Sequence, residues 1–273
     1  MNERDRLQPK LVPPRGILHR QVAMPAPGYG RFWPGTELAP FVEHFWTVAW
    51  DLEEPEVHEV LHHPSIQFVI ESSGSRVVGL VRGRFTTRLE GRGRVLGTKF
   101  LPGGFRPFLG YPVSRLTDRV LSPQEVFGED FPQLEAHVRT LEDASEALAE
   151  IAAFLRDRRP PADPTVDLVR RIAERATADR SITRVEGLAA EFGLGVRSLQ
   201  RLFSEYVGLS PKWMIQRYRL HEASERIAHG ELTDWATLAL DLGYSDQAHF
   251  IRDFRRVVGK TPAEYQRSFE AAR

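Results

Sequence analysis

The chain has 273 residues, and its 37 Lys and Arg are balanced by 37 Asp and Glu, so the formal net charge is zero. The total charge therefore does not by itself indicate a nucleic-acid or membrane partner. The chain has no Cys, which excludes disulfides, thiolate catalysis and cysteine metal ligands. No apolar run approaches the roughly 20 residues of a membrane-spanning helix, and residues 1–6 have no apolar export signal. These features predict a cytoplasmic protein long enough for two domains.

The first half of the chain is predicted to contain an antiparallel sheet. Residues 38–50 begin with helix-like apolar spacing and end in a strand-like run from Trp46 to Trp50. Short apolar or β-branched runs then alternate with Gly-bearing turns, at residues 66–70, 76–81, 85–89 and 95–100. This spacing is typical of an antiparallel sheet or a small barrel.

Helices are predicted from Ser122 onward, and the last of them covers residues 143–158. Leu148, Ile151 and Leu155 form one apolar stripe on it, which could be a homodimer seam or could pack on the barrel of its own chain. Dimerisation is slightly favoured. Several prolines in residues 158–164 cannot continue a helix, so this stretch is the predicted domain boundary.

The last third of the chain contains a repeat. Leu188–Gly195 recurs as Leu238–Ser245, fifty residues later, and the similarity continues through a second helix to a Pro in each copy. Each copy predicts a short helix, a turn built on Gly193 or Gly243, and a second helix. Helix, glycine turn, helix is the signature of a helix-turn-helix module. Two such modules indicate a protein that reads DNA at two places.

A continuous helix is predicted between the two copies. It covers residues 211–229, is stopped by Gly230, and would be roughly 27 Å long at 1.5 Å per residue. Its apolar stripe would pack on both flanking modules and fix the distance between them; the stripe consists of Met214, Ile215, Tyr218, Ala223 and Ile227.

The second copy carries a diagnostic string, LALDLGYSDQAHFIRDFRRVVGKTPAEYQR, at residues 238–267. With the first copy and the connector, it resembles the DNA-binding domain of the AraC/XylS family of transcription regulators over residues 165–267. The resemblance implies seven helices, with two recognition helices entering successive segments of the major groove. The expected architecture is α+β: a regulatory, cupin-like antiparallel barrel with helices (1–158), a linker (159–164) and an all-α DNA-binding domain (165–273). Within the last, the modules cover about 184–207 and 234–258, joined by the connector helix at 211–229.

Helix geometry selects the residues expected to read bases. In the first recognition helix the apolar residues belong on the buried side, so polar residues near its N-terminal end face the groove. Arg can pair with guanine and Gln with adenine. In the second helix Phe250 and Phe254 are the expected buried pair. The candidates for base readout are Val196, Arg197, Gln200, Arg201, Gln247, Ala248, His249, Ile251 and Arg252.

A chain with a net charge of zero can still bind DNA through a local basic face, because only charges within about 10 Å of the DNA act strongly on it. Such a face is expected here. The candidate phosphate contacts are Lys212, Ser245, Arg255 and Lys260, and Arg217 and Arg219 are expected on the same face.

The first half resembles, more weakly, the barrel-like sensing domains that precede this DNA-binding domain in many family members. Its best local string is GTKFLPGGFRPF at residues 97–108, similar to an uncharacterised N-terminal type. The resemblance implies a small effector held inside the barrel. Aromatic residues could line that cavity or be plain core; they are Trp33, Phe45, Trp46, Trp50 and Phe68.

Histidines suggest a second hypothesis, a metal-dependent cupin-type enzyme fused to a DNA-binding domain. His58, His62 and His63, with His44 nearby in sequence, are the candidate ligands. Adjacent residues on a strand point to opposite faces, so His62 and His63 are not expected to share an ion. The favoured hypothesis is a transcription regulator, not an enzyme, that needs no cofactor. Its expected partners are double-stranded DNA, a small effector, RNA polymerase if it activates, and possible homodimers.

Overall fold

A computed structural model describes residues 29–179, 181–230 and 234–270 of the chain. The first six residues, on which the expectation about export rests, lie outside these ranges. None of the described helices is both long enough and apolar enough to cross a membrane.

The first half contains a six-stranded antiparallel sheet, as predicted, with the strand order β1-β2-β5-β3-β4-β6. Within the described ranges β1 and β6 are the two edges. The strands are β1 Tyr29–Phe32, β2 Val42–Val60, β3 Gln67–Glu71, β4 Gly74–Val78, β5 Phe85–Phe100 and β6 Val120–Leu121.

Strands β2 and β5 are longer than the sequence predicts. Residues 85–89 and 95–100 belong to one strand, and β2 continues through the acidic stretch at 53–56. The two strands pair from Val42 to Val60, with a register shift between Leu52 and Glu56. Gly91, opposite Leu52, has a φ of 55°, a left-handed conformation that glycine adopts easily. The long ribbon is therefore irregular at its middle, where a β-bulge bends a strand.

Helices cover one face of the sheet. They are α1 Gly35–Leu38, α2 Arg106–Leu109, α3 Pro123–Phe127, α4 Phe131–Thr140 and α5 Ala144–Asp157, with one 3-10 turn at Val113–Leu116. A capping box on Ser122 starts α3, which is where the sequence predicts the change from strands to helices. The helix-like spacing that begins at Leu38 does not form a helix: α1 ends at Leu38, and β2 already begins at Val42.

The apolar stripe of α5 packs inside its own chain. Leu148 and Leu155 are fully buried and Ile151 is 1% exposed, in the same core as Phe45 and Phe100. The favoured interpretation of this stripe as a dimer seam is therefore wrong, and the packing alternative is right. A seam residue must reach solvent in the monomer, and these side chains do not.

The second half is helical, as predicted: among the described residues it has the seven helices that the family resemblance implies. They are α6 Pro164–Ala178, α7 Val185–Glu191, α8 Val196–Tyr206, α9 Pro211–His229, α10 Trp235–Asp241, α11 Gln247–Val258 and α12 Pro262–Glu270. The turns between α7 and α8 and between α10 and α11 use Gly193 and Gly243, whose φ values are 65° and 76°. Both turns need the left-handed conformation that glycine permits.

Two hydrophobic cores organise the chain. The first joins the helix-covered face of the sheet and α5 to the first helix-turn-helix module, so it crosses the predicted domain boundary. The second contains the second module together with Leu61 from the first half. The connector helix α9 belongs to both cores: Met214 and Ile215 lie in the first, Ala223 and Ile227 in the second.

Candidate nucleic-acid interface and ligand cavity

Helix α8 has one buried and one exposed face. Leu199 and Phe203 are fully buried in the first core. Arg197, Gln200 and Arg201, one helical turn apart, are exposed on the other side. Three long polar side chains thus extend from the N-terminal half of α8, the part that enters a groove in helix-turn-helix proteins. Val196, also proposed for base contact, is half-buried and packs against the first core.

Helix α11 repeats this arrangement with a weaker polar face. Phe250 and Phe254 are fully buried, whereas Gln247, Ala248 and Arg252 are exposed. The other two candidates, His249 and Ile251, make contacts within the protein. The ring of His249 packs edge-on against that of Tyr244, with centres 5.3 Å apart, and His249 Nε2 lies 3.5 Å from Asp253 Oδ2. Ile251 packs against the second core. The exposed candidates on this helix are therefore two long polar side chains and one methyl group.

The candidate phosphate contacts lie around these helices. Lys212, Ser245 and Arg255 are exposed, and Lys260 is half-buried. Lys212 is in the first turn of α9, and Ser245 precedes Asp246, the N-cap of α11, whereas Arg255 is in the last turn of α11. Lys212 and Ser245 thus adjoin the N-terminal ends of helices, where cations and hydroxyls can meet a phosphate.

Arg217 and Arg219 are not on the basic face. Both are buried, with 2% and 4% of their surface exposed. Arg217 donates to the carbonyl oxygens of Val81 and Gly83 at 3.1 and 3.2 Å, and Arg219 donates to that of Ile182 at 2.6 Å. The expectation that they contribute to a DNA-binding surface is therefore wrong. A buried guanidinium needs acceptors, and neighbouring backbone supplies them here.

A cavity of about 220 Å³ lies on the face of the sheet opposite the first core. Alternate residues of β2 point into it, including His44, Trp46, Val48 and Trp50. Phe45 and Phe68 point the other way and are almost fully buried in the first core. Of the two alternatives that the sequence leaves open for them, Phe45 and Phe68 therefore fit plain core and do not line this cavity. Trp33 is 43% exposed and does not line the cavity either, so of the five proposed residues Trp46 and Trp50 alone line it.

His62 and His63 both line the cavity, contrary to the expectation that adjacent residues point apart. They follow β2 in a segment without strand structure, so the alternation of a strand does not apply. Burial lowers the pKa of His62 to about 4. No group of three His, Asp or Glu within the described ranges is arranged to hold a metal ion.

The segment at residues 61–63 also contacts the connector helix. The ring of His63 stacks on that of His221 in α9, with centres 4.0 Å apart, and His221 Nε2 lies 3.3 Å from the carbonyl oxygen of His62. Burial lowers the pKa of His221 to about 3. One wall of the cavity is therefore in contact with the helix that joins the two helix-turn-helix modules.

Sequence reasoning missed the three cationic residues of the cavity wall, Arg31, Arg76 and Lys99. Lys99 Nζ lies 2.9 Å from Glu43 Oε2, and Arg31 contacts the hydroxyl of Tyr29. Burial alone would raise the pKa of Glu43, but His44 and Lys99 outweigh it and lower the pKa to about 2. Strand parity could have identified Lys99, because it shares a face with Gly97, which pairs with Trp46.

Comparisons with known proteins find two family matches, one in each half of the chain. Residues 30–122 match a family described as "Domain of unknown function (DUF6597)", and residues 188–268 match one described as "Helix-turn-helix domain". The second match confirms the module pair predicted from the repeat.

Curated relatives are similar over a limited region. The virulence regulon transcriptional activator VirF of Yersinia enterocolitica is 30% identical over 81 residues, covering 30% of each chain. The HTH-type transcriptional activator RhaS of Escherichia fergusonii is 33% identical over 88 residues, covering 32% of this chain and 31% of RhaS. The chain thus covers less than a third of the length of these relatives.

Among solved structures, ToxT from Vibrio cholerae O395 covers 82% of this chain and 98% of its own, with 12% identity and a TM-score of 0.42.

Proposed function

We propose that this chain, whose C-terminal domain is an AraC-type helix-turn-helix domain, is a sequence-specific DNA-binding regulator of transcription. The observation that carries the proposal is the repeated arrangement of α8 and α11. Each helix has an apolar face buried in a core and a polar face exposed to solvent. The connector helix α9 packs in both cores, so it holds the two exposed faces at a fixed separation.

The exposed polar residues of these helices are proposed to read bases. Arg197, Gln200 and Arg201 would act in one groove segment, and Gln247 and Arg252 in the next. Ala248 would contact a thymine methyl group. Because the two faces differ, one chain would read an asymmetric site whose halves are about one helical turn apart.

The remaining candidates would position the protein without reading sequence. Lys212, Ser245, Arg255 and Lys260 would contact phosphates. Val196, His249 and Ile251, which are half-buried, would support the recognition helices and add contacts at their edges.

The first half is proposed to be the regulatory domain, with residues 1–158 sensing a small effector, 159–164 as the linker and 165–273 binding DNA. The cavity beside the sheet supports this assignment, because a half-enclosed space with mostly apolar walls and a few polar groups is typical of a ligand site. VirF and RhaS are named transcriptional activators, and an activating role here would add RNA polymerase as a partner. Such a regulator would act beside the genome, in the bacterial cytoplasm, and would not need catalysis.

Selection of duplexes from a random pool by the purified full-length protein tests this function. Enrichment of one asymmetric motif, followed by a mobility shift on that motif, is the expected result. The same assay with Arg201→Ala should lose the motif preference, whereas Arg88→Ala, on an exposed strand position of the first half, should keep it. A pool that stays random after repeated rounds would refute sequence-specific binding.

A further inference from the structure

The volume of the cavity indicates how large a group it can enclose. Its volume is about 220 Å³. A cavity of about 150 Å³ is enough for benzene, and sites for drug-sized ligands begin at about 300 Å³. The space therefore suits one ring with a short side chain.

Two indole rings are part of the apolar wall, which also contains aliphatic side chains and Phe85. Trp46 lies over Gly97 and Trp50 over Gly93 on the neighbouring strand. A Cβ atom at Gly97 would lie 2.0 Å from Trp46 Cε2, and one at Gly93 would lie 2.2 Å from Trp50 Cζ2. The glycines thus allow both rings to lie along the wall.

The polar atoms of these rings are already used within the protein. Trp46 Nε1 donates to Gln67 Oε1 at 3.1 Å, and Trp50 Nε1 donates to the carbonyl oxygen of Glu90 at 3.3 Å. The rings therefore offer a ligand their π faces and edges, which favour an aromatic ring over an alkyl chain of the same area.

The charged groups of the wall have an excess of positive charge. Three cations line the cavity, Arg31, Arg76 and Lys99, against one carboxylate, Glu71. Arg76 is paired with Glu71, and Lys99 with Glu43 behind the wall. Arg31 contacts the Tyr29 hydroxyl, and no carboxylate forms an ion pair with it among the residues that the structure describes. The balance is one positive charge in a partly buried site, which an anionic ligand would neutralise.

The cations lie at the same end as Trp46. Arg31 is its cross-strand partner on β1, and Lys99 is the partner of His44, two residues before Trp46 on β2. Trp50 lies four residues further along β2, beyond this charged end. A ligand with a ring at one end and an anion at the other would match both parts of the wall.

We propose that the cavity binds a monocyclic aromatic carboxylate with a short side chain, its ring against Trp46 and Trp50 and its carboxylate beside Arg31 and Lys99. This inference rests on the proposed function, since it names the effector class of the regulatory domain. It is nevertheless tested by ligand binding alone, without DNA.

Calorimetry with the full-length protein and three probes tests the ligand class. The probes are 3-phenylpropionate, its neutral amide and hexanoate, which keeps the charge but lacks the ring. We expect 3-phenylpropionate to bind about tenfold more tightly than either of the others, the ratio that about 1.4 kcal/mol provides. Equal affinity for the acid and its amide would overturn the assigned charge recognition, and tighter binding of hexanoate would overturn the aromatic assignment.

Matched variants test the position of the ring. Trp50→Ala should weaken 3-phenylpropionate binding about tenfold or more, since stacking on one ring is lost. Trp33→Ala removes an indole that does not line the cavity and should leave the affinity within about twofold. Equal losses from the two variants would contradict the assigned site.

The charged end is tested by a paired substitution, because removing Lys99 alone would leave the buried carboxylate of Glu43 without its cation. In Glu43→Gln/Lys99→Gln both charges of the pair are lost together. Its preference for the acid over the amide should fall at least about threefold, with amide binding unchanged. A further Arg31→Gln should abolish the preference. A preference that persists in the triple variant would refute the assignment.

The two proposals fail in different ways. If the protein binds 3-phenylpropionate as described but selects no DNA motif, the DNA-binding function is wrong and the ligand site stands. If it selects a motif but none of the three probes binds, the ligand class is wrong and the DNA-binding function stands.

Discussion

The buried position of Arg217 determines which groups its positive charge contacts. It lies on the connector helix in a basic stretch, yet its guanidinium donates to the carbonyl oxygens of Val81 and Gly83 and lies 4.5 Å from the centre of the Trp213 ring. Burial lowers its pKa to about 10, which leaves it protonated at neutral pH. The Arg217 guanidinium therefore contacts backbone of the first half of the chain and is not exposed to DNA.

Arg217→Met should lower the free energy of unfolding by about 2 to 4 kcal/mol, because the carbonyl oxygens of residues 81–83 lose their donor while buried. Lys212→Met, at an exposed position of the same helix, should change it by less than about 0.5 kcal/mol. Urea denaturation of both variants measures the difference. Equal effects would mean that Arg217 is not held as described.

Base readout and phosphate contact should differ in their response to DNA sequence. Arg197→Ala and Arg201→Ala should each cost about 1 to 3 kcal/mol on the selected motif and much less on random DNA. Lys260→Ala should weaken binding to both alike and reduce the salt dependence. Titrations at several salt concentrations provide the comparison. If the two arginine variants lose affinity equally on both DNAs, these residues contact phosphates.

The buried histidines should make stability depend on pH. His221 and His62 have pKa values lowered to about 3 and about 4, against about 6.5 in an unfolded chain. A depressed histidine pKa means that the unfolded state binds more protons between these values, so stability is full above about pH 6.5 and falls as the pH decreases. The positive charges of Arg217 and Lys99 oppose the protonation of both histidines further.

His221→Phe keeps a ring against His63 but removes one titrating group, so the loss of Tm between pH 7 and pH 5 should be smaller than in the wild type. His229→Phe, at the exposed end of the same helix, is the control and should retain the wild-type slope. Thermal melts at the two pH values decide. A His221→Phe slope equal to that of the wild type would rule out this contribution.

At the residue scale the sequence predicts exposure well where the helix period is clear. Arg197, Gln200 and Arg201 are exposed because Leu199 and Phe203 fix which side of α8 is buried. Arg217 could not be placed in this way. Its environment depends on residues 81–83, which are distant in sequence. The periodicity of its own helix cannot predict a contact with them.

At the element scale the helices of the second half follow from local signals. The glycine turns, the Ser210 cap and the prolines at the start of α9 and α12 set the helix bounds through nearby backbone contacts. The strands β2 and β5 are less predictable. Their length arises from pairing with each other across the chain, so the acidic residues 53–56 can belong to a strand although their own pattern does not indicate one.

Helix α5 provides the test at this scale. Leu148→Glu/Leu155→Glu puts two carboxylates into the first core, where both leucines are fully buried. The double variant should fail to fold, because an unpaired buried charge costs several kcal/mol. Glu146→Gln/Glu150→Gln, at less buried positions of the same helix, should fold normally. Circular dichroism and sedimentation give the answer. A folded, soluble monomer of the double leucine variant would restore the dimer-seam interpretation.

At the scale of the whole molecule, non-covalent contacts join the two halves in addition to the chain segment at 158–164. Thr117 Oγ1 donates to the carbonyl oxygen of Gly208 at 2.7 Å, and Arg106 pairs with Glu205 at 2.7 Å. Arg84 donates to the carbonyl oxygen of Val258 at 3.2 Å, so the second module is held as well. The first half therefore contacts both modules, and the cavity wall reaches the connector helix through the stacking of His63 on His221.

The shared first core predicts how an isolated DNA-binding fragment behaves. A fragment of residues 162–273 should still contain both modules, but it loses the apolar partners that the first half supplies to Val207 and Met214. Exposing that surface removes several kcal/mol of hydrophobic stabilisation, so its Tm should fall by roughly 10 °C or more relative to the full chain. Where the fragment remains folded at low temperature, it should bind the selected motif and be indifferent to 3-phenylpropionate. Melting curves and mobility shifts on both proteins measure this. A fragment as stable as the full chain would mean that the contacts between the halves contribute little, and that the linker carries the coupling after all.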